Sequence, residues 1–136
     1  MAFTAKLQFG NNDIERYDKE YLVTDVRCHF SRHHNQKHPE GKPYCEQLKM
    51  SLVAPDKYDT TIYSGFTEQG CLSGRILFDL PNSTTDESFN RSITFDDAIC
   101  YSIEETYDNK ANLPKILHIS LCPQKTNVGN IDFTAL

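Results

Sequence analysis

No apolar run in this chain approaches the roughly 20 residues a helix needs to cross a bilayer, so insertion into a membrane is not expected. An excess of basic charge is missing too: 14 Lys and Arg stand against 19 Asp and Glu, a formal net charge of -5. A general nucleic-acid binder needs a clearly basic surface, so no nucleic-acid partner is expected. The five cysteines, Cys28, Cys45, Cys71, Cys100 and Cys122, include no CxxC pair. Their odd number and wide spacing inside strand-like runs read as core thiols of a reducing compartment, not as a disulfide framework. The opening MAFTAKLQF has no basic-then-apolar leader. Assembly in the cytoplasm is therefore expected, with any export by a route that cleaves no signal peptide.

Catalytic signatures are equally scarce. Ser, His and Asp residues occur without a GxSxG elbow, and Gly70 and Gly74 lack the rest of either phosphate-binding pattern. Asp96-Asp97 and Glu104-Glu105 place carboxylates side by side. Neighbours on a strand point to opposite faces, so neither pair should converge on one substrate atom. The expectation is a non-enzyme.

What the sequence does hold is alternation. A length of 136 residues suits one domain with one core, 1–136. There is no internal repeat, low-complexity tract or dividing linker. Phe3, Ala5, Leu7 and Phe9 alternate with polar residues and end at Gly10-Asn11-Asn12-Asp13, which reads as strand and turn. Leu22, Val26, Cys28 and Phe30 share a parity opposite to Asp25, Arg27 and His29, a second half-buried strand. Leu48, Met50 and Leu52 mark a third, and Ile76, Phe78 and Leu80 a further one.

Between the third and fourth, Tyr58, Ile62 and Phe66 recur every fourth residue, after Pro55-Asp56 and before Gly70. That spacing predicts one short amphipathic helix over an open end of the sheet. The segment from Ser92 to Phe133 reads as a long antiparallel hairpin. Ile93, Phe95, Ile99, Tyr101 and Ile103 lie in one arm, and Leu117, Ile119 and Leu121 in the other. Asp96-Asp97 predicts a bulge or bend in the first arm. The fold expected is mainly β, a barrel-like arrangement of two packed antiparallel sheets with one short α-helix.

One constellation invites a metal: CHFSRHHNQKHPEGKPYC sets His29, His33, His34 and His38 between Cys28 and Cys45. Imidazole and thiolate could hold zinc, but the order matches no standard finger or ribbon. Arg32, Lys37 and Lys42 would also oppose a cation. The stronger reading is a polar loop that faces solvent or a partner, with no metal and no cofactor. A ligand-binding barrel is a further alternative and needs an apolar cavity. Phe9, Phe30, Leu48, Met50, Phe78 and Phe95 predict a filled interior instead.

The block FDDAICYSIEETYDN, followed by PKILHISLCPQKTNVGN, resembles the C-terminal half of the Bacteroidetes type VI secretion tube proteins, the TssD or Hcp family. Phe95, Asp97, Ala98, Cys100, Tyr107 and Asp108 fill the first strand and turn of that pattern. Leu117, Ile119, Ser120, Lys125, Gly129 and Asn130 fill the second. Ala5-Lys6-Leu7, a strand ending near Phe30-Ser31, a polar loop, the strand at Leu48–Leu52 and a short helix agree over the N-terminal part. Two features depart from the pattern: the loop is rich in histidine, and the helix region is poorer in aromatic and large apolar residues.

This resemblance implies a structural subunit that forms homohexameric rings. The rings would stack into an inner tube, expelled with its spike and able to carry effectors. Sheath, spike and effector proteins would be its partners. A phage-type tail-tube protein shares the expected fold and assembly and is the alternative. The loop resembles the family's extended loop that touches the adjacent ring. The expected ring-stacking residues are Ser31, Arg32, His33, His34, Asn35, Gln36, Lys37, His38, Pro39, Glu40, Gly41 and Lys42.

Overall fold

Strand alternation organises the chain as the sequence leads one to expect, in a computed structural model that describes residues 4–32, 34–35, 38–39, 42–54, 59–67, 72–79, 91–107, 116–129 and 131–134. The strands are β1 (Thr4–Asn11), β2 (Arg16–Ser31), β3 (His34–Asn35), β4 (His38–Pro39), β5 (Tyr44–Val53), β6 (Leu72–Asp79), β7 (Arg91–Thr106), β8 (Ile116–Cys122), β9 (Lys125–Val128) and β10 (Ile131–Thr134). One helix, α1 (Thr61–Thr67), lies between β5 and β6. Among the described residues no helix is long and apolar enough to cross a membrane.

Eight strands form one sheet in the order β10-β9-β7-β6-β1-β2-β5-β8, and β7 also pairs with β8. That second pairing closes the wall, since β7 reaches β6 along one edge and β8 along the other. The two expected layers are thus continuous, and neighbouring strands run antiparallel around the wall. Closure pairs both sides of the wall from β7 round to β8 and leaves few of the exposed edges that invite unwanted pairing. The register of the C-terminal hairpin runs from Ile99↔Cys122 to Thr106↔Ile116, while β9 continues along β7 from Asp96↔Lys125 to Ile93↔Val128.

Inward-facing residues fill the barrel. Leu7, Leu48, Leu52, Ile76, Phe95, Leu117 and Leu121 have no exposed surface. Phe9 stands edge-on to both Tyr21 and Phe95, with ring centroids 5.8 and 6.3 Å apart, the arrangement aromatic quadrupoles favour. Of the six large side chains expected inside, Phe9, Leu48, Met50, Phe78 and Phe95 are buried and Phe30 packs partly against them.

Bulges decide where alternation fails. Val23 pairs with Leu52 and Asp25 with Ser51, so Thr24 is an extra residue on β2. Its hydroxyl donates to the Ser51 carbonyl at 3.2 Å. An inserted residue shifts the parity: Tyr21 and Val23 face inward before it, and Val26, Cys28 and Phe30 after it. Leu22, expected inside, is 51% exposed. The bulge expected at Asp96-Asp97 is present, because Leu72 pairs with Ala98 and Gly74 with Phe95, leaving two residues opposite Ser73. Cys100 then pairs with Leu121 and Ser102 with Ser120, so Tyr101 is extra and turns outward at 44% exposure.

The helix packs on a different face from the one its spacing predicted. Ile62 and Gly65 are buried, whereas Phe66 is 45% exposed. Gly65 lets the helix approach β6 closely: a Cβ there would sit 2.6 Å from Leu72 Cδ2. Asp59 meets the helix start, its Oδ1 accepting the Thr61 amide at 3.0 Å. Pro55, Asp56, Tyr58, Gly70 and Leu80 lie outside the described residues.

Candidate assembly surface

β2 and β5 are antiparallel neighbours, paired as far as Ser31↔Tyr44. The chain between them must leave and return along adjacent paths, which favours pairing of its own backbone groups. It does so as a small ribbon: His34 pairs with Pro39 and Asn35 with His38. Sequence reasoning expected a loop without strand here, because two-residue strands leave no periodicity to read. Arg32 and Lys42 at the ribbon's foot are exposed and Ser31 is half-buried. His33, Gln36, Lys37, Glu40 and Gly41 lie outside the described residues.

His29, Cys28 and Cys45, which flank this segment, divide between the two faces of the wall. His29 points outward, with Nε2 3.1 Å from Glu46 Oε2. Cys28 packs against the core and Cys45 is 2% exposed within it. Among the described residues no three His, Cys, Asp or Glu side chains come together to hold a metal ion. The described cysteines, Cys28, Cys45, Cys100 and Cys122, are free thiols. Burial pushes the Cys45 thiol up to about 11 and raises Cys28 and Cys100 as well. Such thiols carry little thiolate at neutral pH.

Both carboxylate pairs are split. Asp96 takes a 3.0 Å hydrogen bond from Asn12 Nδ2, which also donates to the Phe95 carbonyl at 2.9 Å. Asp97 is exposed, with its own amide bonded to Ser73 Oγ at 3.0 Å. Glu105 accepts from the hydroxyls of Tyr63 on α1 and Tyr107, whereas Glu104 sits opposite His118.

The outer wall of β2, β5, β8 and β7 carries an open groove of about 460 Å³, lined among others by Asp25, Arg27, Lys49, Ser51, Glu104 and His118. Its sign is mixed, which suits polar contact with a complementary surface. His118 faces outward from β8 and is pinned at both nitrogens. Nδ1 is 2.8 Å from Ser51 Oγ and Nε2 3.0 Å from Thr106 Oγ1. Among the described residues its partners are hydroxyls and not the carboxylate that orients the base of a nucleophilic triad. Period-2 parity showed that His118 faces out, but the identity of its partners needed the β5–β8 and β7–β8 registers.

The closed barrel, its filled interior and the ribbon at one corner define a mainly β module whose described chemistry lies on surfaces. The family model described as TssD, hemolysin coregulated protein Hcp, matches residues 1–135, and the chain belongs to this family of type VI secretion tube proteins. Among solved structures, Hcp1 from Flavobacterium johnsoniae is similar at 14% identity and a TM-score of 0.72, covering 97% of this chain and 99% of its own. A second Hcp protein is similar at 13% identity and a TM-score of 0.68, covering 99% of this chain and 100% of that one. Hcp3, a secreted protein from Pseudomonas aeruginosa, is similar at 11% identity and a TM-score of 0.64, covering 98% and 100%. At such identities the likeness is one of fold. No curated protein matches the sequence.

Proposed function

We propose that this chain is a structural, non-enzymatic tube subunit, acting over its whole length as one domain, that closes into hexameric rings and stacks through them into a secreted tube. The observation that carries the reading is the match of the TssD model to residues 1–135. The barrel supports it, since its interior is occupied by side chains and its outer wall is patterned with paired charges and hydroxyls. Head-to-tail contacts that close by rotation give rings, and translation of the same unit gives filaments. The ribbon and its flanks, Ser31 to Lys42, are the ring-stacking element, and their exposed Arg32 and Lys42 supply polar contact. Sheath, spike and effector proteins are the further partners, and export proceeds through the injection apparatus.

Light scattering on the full chain and on a variant with residues 33–40 replaced by a short Gly-Ser turn tests this reading. The expected result is ring-sized particles from both and longer stacks from the unaltered chain alone. Equal stacking by the two proteins removes the ribbon from the mechanism, and monomers from both overturn the reading.

A further inference from the structure

Cys45 and Cys100 are equally buried, each 2% exposed, but what covers them differs. Cys100 lies in the body of β7, opposite Leu121 of β8, with its thiol donating to the Ser102 carbonyl. Cys45 is at the start of β5, opposite Phe30, with its thiol likewise donating to a carbonyl, that of Gln47, and β9 and β10 cross this end of the barrel. That cover is thin. β10 is paired with β9 alone in the sheet order, and β9 is held by its short ladder on Ile93–Asp96 of β7. Phe133 of β10 rests on Phe30 with ring centroids 4.7 Å apart, while Ile131 of the same strand is 61% exposed.

The cover also contains a fault. Thr126 of β9 is 1% exposed, and its Oγ1 has no hydrogen-bond partner among the described residues. It lies beside the Cys45 thiol, where its nearness favours the thiolate. A buried hydroxyl left unpaired weakens the element that carries it. Water would satisfy that hydroxyl as soon as β9 lifted. Short terminal elements with few buried contacts belong to the part of a fold that opens locally.

We propose that β9 and β10 form a strap that lifts while the barrel stays folded, making Cys45 a gated site for thiol–disulfide exchange with small disulfides. In the open state the Cys45 thiol gives its proton to solvent. The thiolate then attacks one sulfur of the disulfide, forms a mixed disulfide and releases the other half as a thiolate. The closed strap forbids the reaction by excluding the reagent. This inference concerns the single subunit and does not depend on the tube reading.

Dithiobis(nitrobenzoate) is the probe, with each modified cysteine assigned by peptide mass spectrometry in low urea concentrations. The expected result is that Cys45 reacts well before Cys100, with a rate that rises little with urea while that of Cys100 climbs steeply. The substitution Thr126→Val removes the unpaired hydroxyl at nearly constant shape and is expected to slow Cys45 by roughly fivefold or more. Cys45 and Cys100 reacting together, with the same urea dependence, overturns the strap in the unaltered protein alone. A folded Thr126→Val protein whose Cys45 reacts at the original rate overturns the role of the hydroxyl.

Discussion

Asp97 stands at a φ of 53° directly against Ser73, whose Oγ accepts the Asp97 amide at 3.0 Å. The left-handed backbone and the hydroxyl together hold the extra residue of the β7 bulge. Asp tolerates that region better than most side chains, and β-branched residues tolerate it worst. Replacing Asp97 with Val is expected to cost about 1–2 kcal/mol, whereas Asp97→Gly should be close to neutral. Urea unfolding of the two variants checks the difference. Equal stability would show that the bulge does not depend on this backbone conformation.

The Tyr21–Asp59 contact makes stability depend on pH. The Tyr21 hydroxyl donates to Asp59 Oδ2 at 2.8 Å. Partial burial pushes the Asp59 carboxyl upward, but hydrogen bonds from Thr61 and Tyr21, with the nearby charge of Lys19, outweigh it and leave the group below its ordinary value. A carboxylate depressed in the folded state adds stability above its unfolded value, about 3.9, and loses it as pH falls through the folded one. Asp59→Asn should therefore be less stable than the parent at pH 7, and the gap should close below about pH 4. A gap that stays constant with pH would assign the loss to the amide's shape instead of the charge.

Two apolar residues with similar sequence signals should respond in opposite ways. Phe95 has no exposed surface and stands against Phe9, so Phe95→Ala should cost about 3–5 kcal/mol through lost transfer energy and a cavity. Leu22 is 51% exposed, and Leu22→Ser should change the isolated subunit by less than about 0.5 kcal/mol. Chemical denaturation measures both. A large loss at Leu22 would mean that the β2 parity is wrong.

That contrast also shows how much of the fold the sequence made legible. Strands with unbroken alternation, such as Leu48-Met50-Leu52 and Leu117-Ile119-Leu121, could be oriented correctly because period 2 assigns every residue to a face. Leu22 could not, since a single inserted Thr24 reverses the assignment and bulges leave only a weak mark in composition. Asp96-Asp97 was the exception: two adjacent carboxylates inside an apolar strand disfavour a regular ladder and announce the irregularity. Phe66 was assigned to the buried face by its spacing from Ile62, but a seven-residue helix is too short for periodicity to choose between faces. The candidate surface was located as a segment and not as a structure, because the ribbon's pairing follows from the β2–β5 register and not from its own residues. His118 lacked any local signal, as its two hydroxyl partners come from strands far apart in the chain.

Negative-stain electron microscopy of the purified full chain tests the central claim, that this protein works by associating with copies of itself. The expected image is a ring with an open centre, with stacks appearing as concentration rises. Particles that remain the size of a single barrel at the highest attainable concentration would contradict the account.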